Sequence, residues 1–249
     1  MDEHSGTQRR RARGGRLAWS TLAGAGMLVA GACGWILGSH YGGRPGQGPL
    51  PVLGQAPHYH LSNQHGRPVD DGRFHGKVQV VTFLFPYCTT YCPLITAHLV
   101  GFEHLLARAG LADRVAVVSF NVDPGNTGPA QMRAFLSQYG WNPDDPHWQY
   151  LTGSPSAIRR VVTGGFHVSF AREPLAPPGG DTRGGEALAP QPEVRNPLAE
   201  KAGVGYDVTH NDALELVDAK GRIRLVRTQA DTVSEEELLR EVRKLLNEG

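Results

Sequence analysis

The sequence predicts an α/β fold, a mixed β-sheet flanked by helices, preceded by one transmembrane helix. Three observations carry this expectation. Val78–Phe85 and Val115–Val122 are nearly unbroken runs of β-branched and aromatic residues, the pattern of strands buried on both faces. Stretches with a 3.6-residue apolar period separate the strand-like runs. Residues 17–38 carry no charge and follow the arginines Arg9, Arg10, Arg11, Arg13 and Arg16.

Length and charge narrow the classes further. The chain has 249 residues, with 25 Lys and Arg against 24 Asp and Glu and a formal net charge of +1. That suits one domain with extensions, and the near-zero charge gives no footprint for nucleic acid.

The N-terminus reads as a basic cytoplasmic leader over 1–16 and a membrane anchor over 17–38, close to the roughly 20 residues a span needs. Trp19 and Trp35 sit near the ends of the apolar run, where interfacial aromatics belong. The arginine cluster holds its own side in the cytoplasm and sends the rest across. An uncleaved anchor, a cleaved signal peptide and a lipoprotein signal ending at Cys33 all fit this stretch. Because Trp35-Ile36-Leu37 continues the apolar run past Cys33, the uncleaved anchor fits best. Arg9 and Arg10 also match a twin-arginine signal weakly. Each reading puts the bulk of the chain on the extracytoplasmic side, where disulfides persist.

A Gly- and Pro-rich tether is expected over 39–57, and a folded domain over 58–249. His58–Leu61 and Arg67–Val69 flank Gln64-His65-Gly66 as a short hairpin. The strand Val78–Phe85 ends at Pro86-Tyr87, and Pro93 is expected to open a helix with its stripe at Ile95, Leu99, Phe102 and Leu106. After the strand at 115–122, Thr127 or Gly128 caps a helix from Pro129 to Tyr139 that buries Met132, Phe135 and Leu136. Trp148–Leu151 is a short strand, and Ser154-Pro155 opens another helix through Ile158 and Val162. Residues 173–202 hold much Pro, Gly and charge and few large apolar side chains, so they read as a mobile insertion. Leu214–Val217 and Arg222–Val226 form a hairpin across Asp218–Gly221, with Gly221 supplying positive φ. Ser234 and Glu237 form a capping box for a last helix that buries Leu238, Val242, Leu245 and Leu246. Early strands joined through helices, followed by a late hairpin, make a thioredoxin-like order.

Cys88 and Cys92 lie where the first buried strand hands over to a helix N-terminus. Unpaired N–H groups and the helix dipole favour thiolate there. The placement suits a soft-metal site or a redox dithiol. A structural disulfide is the plain alternative, and the junction with Pro93 argues against it.

These residues carry a resemblance. The Cys88–Pro93 stretch, Asn121-Val122-Asp123-Pro124, Trp148 through Leu151-Thr152-Gly153, and Tyr206–His210 with its following hairpin are together similar to the Sco/SenC family of membrane-anchored, thioredoxin-like copper proteins. The resemblance runs from about His58 to the C-terminal helix, interrupted by the insertion. It implies that Cys88, Cys92 and His210 bind one copper ion. It also implies a role in assembling the dinuclear copper site of cytochrome c oxidase. Its partners would be the copper-accepting oxidase subunit and a copper donor or thiol reductant protein. Two thiolates suit soft Cu(I), and the added imidazole lets the same site hold Cu(II). Asp123 is either a second layer behind the metal, a partner-facing group, or a turn former before Pro124. Thr89 and Thr90 replace the family's usual Pro and Asp after the first cysteine, and Thr209 and Asn211 replace the usual neighbours of the histidine. The acidic residue usual after the Asp-Pro step is missing around Gly125-Asn126. These departures spare the ligand atoms and bear on reduction potential and docking.

His58, His60, His65 and His75 crowd the hairpin region, and His98 and His104 fall on different faces of the Cys-bearing helix, so all are read as ordinary. The alternative function is an extracytoplasmic thiol–disulfide reductase using Cys88 and Cys92. A thiol peroxidase is disfavoured, because the Pro-x-x-x-Thr-x-x-Cys approach to the reactive cysteine is absent.

Overall fold

The computed structural model describes residues 48–174 and 194–248. The basic leader at 1–16, the span at 17–38, the tether up to residue 47 and residues 175–193 of the insertion lie outside the described residues. Among the described residues no helix is long and apolar enough to cross a membrane.

In chain order the elements are β1 (Gly54–Gln55), β2 (His60–Ser62), β3 (Pro68–Asp70), β4 (Val78–Leu84), α1 (Tyr91–Arg108) and β5 (Val115–Asn121). They continue with α2 (Pro129–Gln138), β6 (Trp148–Leu151), α3 (Pro155–Val162), β7 (Phe170–Pro174) and α4 (Pro197–Ala202). The last are β8 (Tyr206–His210), β9 (Leu214–Val217), β10 (Arg222–Arg227) and α5 (Glu235–Glu248).

The main sheet runs β1-β10-β9-β4-β5-β6. β4, β5 and β6 are mutually parallel, as strands joined through helices must be when they lie side by side. β9 returns antiparallel beside β4, and β10 and β1 extend that edge. Every residue of β4, β5 and β6 is buried, so both faces of that half are covered, as their unbroken apolar runs require. The hydroxyls on these three strands are satisfied: Thr82 and Ser119 share a 2.9 Å hydrogen bond, the Trp148 indole donates to Ser119 at 2.9 Å, and the Tyr150 hydroxyl donates to the Leu84 carbonyl at 3.0 Å. The rings of Phe83, Phe120 and Phe166 pack together on the core side of β4 and β5. α1 packs on α5, which buries Leu238, Val242 and Leu245.

Three local expectations are corrected, and one strand pairing is new. The Cys-bearing helix starts at Tyr91, not Pro93, so Cys92 sits inside its first turn. Pro93 still costs little as the third helical residue, because the first four N–H groups have no helical acceptor. The tether does not extend to residue 57. Leu53 and Ala56 donate backbone hydrogen bonds to Ile223 and Gly221, and Gly54–Gln55 adds a short edge strand. The insertion is ordered at both flanks: Glu173 and Pro174 complete β7, and 197–202 is a helix behind a fully buried Asn196. Finally, β7 and β8 pair as an antiparallel ribbon, Phe170 opposite His210, which local patterning did not show.

Candidate metal centre

The loop after β4 and the first turn of α1 present both cysteines inward. Cys88 is 4% exposed and Cys92 is fully buried, and both are free thiols. Cys88 N–H donates to the Phe85 carbonyl at 3.0 Å, closing the turn that brings the thiol beneath the helix. Thr90, the residue capping α1, offers its backbone N–H at 3.4 Å and its hydroxyl at 3.3 Å to Cys88 Sγ.

His210 arrives from the far end of β8. Its Nδ1 lies 3.0 Å from the Asn211 carbonyl, which can only accept, so Nδ1 carries the proton and Nε2 keeps its lone pair. Nε2 stands 3.6 Å from Cys92 Sγ. Burial holds the imidazole below its ordinary pKa, leaving it neutral.

The two thiols differ. The hydrogen bond from Cys92, helped by both Thr90 donors, lowers the Cys88 pKa despite burial. Burial, and the cost of a second charge beside Cys88, pushes Cys92 well above the ordinary thiol range. The single Cys92 proton therefore has two competing acceptors, Cys88 Sγ and His210 Nε2.

Donors on one first-row ion, each about 2.0–2.3 Å from it at a near-tetrahedral angle, stand about 3.5 Å apart. The Cys92–His210 separation already has that value. Among the described residues no three His, Cys, Asp or Glu side chains are jointly arranged around a metal position. The three candidates are neighbours in pairs, and Cys88 still engages Thr90. His58, His60 and His147 pair with aspartates instead, as ordinary surface histidines do.

Asp123 is 4% exposed and grips the ribbon. Arg172 of β7 donates to Oδ1 at 2.8 Å, and Tyr206 of β8 donates to Oδ2 at 2.7 Å. The Arg172 guanidinium also lies over the Tyr206 ring, 4.2 Å from its centroid. The Asp123 backbone carbonyl meanwhile accepts from Asn126 and Thr127, so the turn-forming role is present too. Asp123 thus supports the strand that ends in His210.

Sequence reasoning missed Asn196. Its amide donates to the Pro86 carbonyl at 3.0 Å and to the Cys88 carbonyl at 2.8 Å, while its oxygen caps α4. The Val194 N–H reaches the Thr89 carbonyl at 2.6 Å. The cysteine loop is therefore sewn to the segment after the insertion. Asn196 followed by Pro197 is a recognisable cap with proline at the first helical position, and that signal was available.

A family model for SCO1/SenC matches residues 53–185, just over half of the chain. This chain belongs to the SCO1/SenC family. The SCO1 protein homolog of Bacillus subtilis is 34% identical over 107 residues, 43% of this chain and 53% of that protein. The match thus spans about half the length of that relative. The copper-bound structure of Bradyrhizobium japonicum ScoI superposes with a TM-score of 0.56 at 21% identity, over 77% of this chain and 99% of that one. BsSco, a member of the Sco family of cytochrome c oxidase assembly proteins in which a disulfide switch was identified, superposes at 0.57 with 23% identity, over 80% and 98%. At such identities these structures establish the fold, a mixed α/β thioredoxin-like Sco fold. The SCO1/SenC match contains Cys88, Cys92 and Asp123 but ends before β8. The place of His210 beside the cysteines is a finding of the geometry.

Proposed function

We propose that this SCO1/SenC protein is a copper carrier whose cargo is held by Cys88, Cys92 and His210 and passed to the copper-accepting subunit of cytochrome c oxidase. The observation that carries the reading is the neutral Nε2 lone pair of His210, 3.6 Å from the Cys92 sulfur. Disulfide exchange needs no nitrogen ligand, whereas two soft sulfurs and one nitrogen are a fitting donor set for Cu(I) and, less firmly, Cu(II). Family membership supports the reading, and so do the copper-bound ScoI structure and the oxidase-assembly role of the family of BsSco. The arginine cluster before residues 17–38 supports placing the domain on the extracytoplasmic side as a single-pass anchored protein.

On this reading the chain works as follows. His210 stays neutral and is aimed through its Nδ1–H bond to the Asn211 carbonyl. Cys92 gives up its proton as it takes the cargo, and Cys88 turns from Thr90 toward it. Release needs a partner whose own soft ligands displace these donors one at a time.

The thiol–disulfide reductase is the second reading, and the unequal thiols favour it. The Cys88 thiolate would attack a partner disulfide and expel one partner thiolate. Deprotonated Cys92 would then attack the mixed disulfide, leaving a Cys88–Cys92 disulfide and a partner dithiol, with two electrons passed to the partner.

His210→Ala separates them. Loss of a nitrogen donor should abolish Cu(II) binding and cut Cu(I) retention while leaving dithiol cycling intact. If delivery is the task, cells carrying well-expressed His210→Ala protein assemble copper-dependent oxidase as poorly as Cys88→Ala cells. Near-normal oxidase in those cells would transfer the assignment to the reductase.

A further inference from the structure

Among the described residues the large hydrophobic side chains left exposed are Val52 and Leu53, each 55% exposed, and Val226, 42% exposed. They are not scattered. Leu53 and Val226 border one groove of about 280 Å³, walled also by Phe166 and Ile223. On its floor lies Glu215, 1% exposed, whose Oε2 has no hydrogen-bond partner among the described residues. Glu215 sits on β9, directly across from Val226 of β10 on one side and Val81 of β4 on the other. A buried carboxyl oxygen without a partner forfeits the hydrogen bonds it made in water, a penalty that an apolar side chain at this strand position would avoid. Burial alone raises its pKa to about 8, so the group keeps a proton until a cation arrives. His167, held at a positive φ of 59°, is the one other titratable side chain lining the groove. At one end the groove reaches Asn211, whose carbonyl orients His210.

We propose that this groove docks a partner polypeptide through a lysine or arginine side chain, the stem lying along Leu53, Phe166 and Val226 and the charged head meeting Glu215. A charged head with an aliphatic stem satisfies the orphaned carboxyl and covers the apolar walls together. Val52, the residue before Leu53, is exposed as well, and two apolar residues in succession beside the notch fit a segment of chain better than a free amine. Because Asn211 joins the groove to His210, a segment seated here would be held beside the candidate metal centre. The assignment stands apart from the copper reading, since it needs no metal.

Calorimetric titration of the metal-free full chain tests it, with acetyl-Val-Leu-Lys-Val-amide and the same peptide carrying norleucine for lysine. The lysine peptide should bind at least about tenfold more tightly, and Glu215→Gln should erase that preference. Val226→Lys is the second variant. It places an ammonium across the strand pair from Glu215, and should block the peptide while the protein melts no lower than the wild type. Equal affinity for the two peptides, or no binding, makes the groove a solvated notch and overturns the proposal. Hexylammonium matching the lysine peptide would make it a small-amine site and overturn it equally. Failure here leaves the His210→Ala result untouched, and the reverse holds.

Discussion

At the scale of single residues, the site works through unequal protons. Cys88 is the easier thiol to ionise, helped by the Cys92 hydrogen bond and by Thr90, whereas Cys92 keeps its proton because a charge there would be fully buried. Selective alkylation should therefore label Cys88 first. Thr90→Val, which removes the hydroxyl donor at 3.3 Å, should raise the pH midpoint of that labelling, read by mass spectrometry across a pH series. An unchanged midpoint would show that the Thr90 hydroxyl does not help set the Cys88 thiolate. Metal uptake must strip these thiols, so copper retention should weaken as pH falls, by about tenfold per pH unit for each proton released. A competition titration against a chelator of known pH dependence checks this. A pH-independent affinity would mean that the thiols are not the ligands.

A second residue-scale effect lies away from the site. Glu103 on α1 is 3% exposed, its Oε1 has no partner among the described residues, and burial raises its pKa from 4.5 to about 7. The folded state therefore holds this proton where the unfolded chain has lost it. Its contribution is intact below about pH 4.5 and declines as pH rises toward 7. With one pKa unit worth about 1.4 kcal/mol, the decline is at most about 3 kcal/mol. Glu103→Gln should flatten the stability profile between pH 5 and 8 in denaturant titrations, and an unchanged slope would assign the loss to other groups.

At the scale of elements, two devices hold the site from outside the central strand and helix. The ribbon β7–β8 carries His210 at its end, and Asp123 holds it through Arg172 and Tyr206. The short helix α4 holds the cysteine loop through Asn196. Asp123→Ala touches no candidate ligand. It should nonetheless lower Cu(II) affinity by roughly tenfold by loosening β8, while the free thiols titrate as before. Asn196→Ala removes the cap of α4 and leaves the Pro86 and Cys88 carbonyls short of a donor, so unfolding should become easier by roughly 1–3 kcal/mol. It should also speed Cys88 alkylation, a readout that general destabilisation at constant fraction folded would not move.

At the scale of the whole molecule, the domain is a two-faced sheet whose parallel half holds the cysteines and whose antiparallel half leads from His210. Residues 49–57 tie the start of the domain to the β10 edge, and Arg224 of β10 donates to the Leu50 and Pro51 carbonyls and pairs with Asp218 and Glu248. The basic leader and apolar run at 17–38 predict an anchored protein with this domain outside the cytoplasm. A reporter fused after Gly249 should be active only on that side, and cytoplasmic activity would reverse the assigned topology.

What the sequence determined by itself was local. The runs at 78–85 and 115–122 read as buried strands, the 3.6-residue stripe placed α1, and the Cys88–Cys92 spacing sat legibly at the junction of the first strand with α1. Its limits appear where partners are distant in the chain. The start of α1 moved to Tyr91, because a proline within the first turn marks a helix N-terminus without fixing its first residue. His210 was an unremarkable residue apart from the family resemblance, because nothing in its neighbours records that β8 pairs with β7 and ends against Cys92. Asn196 lay in a stretch whose composition argued against burial, yet its amide is fully buried because the cysteine loop needs two donors there. Periodicity and capping act over a few residues and leave their mark in local sequence. Pairing across an intervening segment is decided by burial and hydrogen bonding in three dimensions, and only the tertiary structure could bring the imidazole to the thiols.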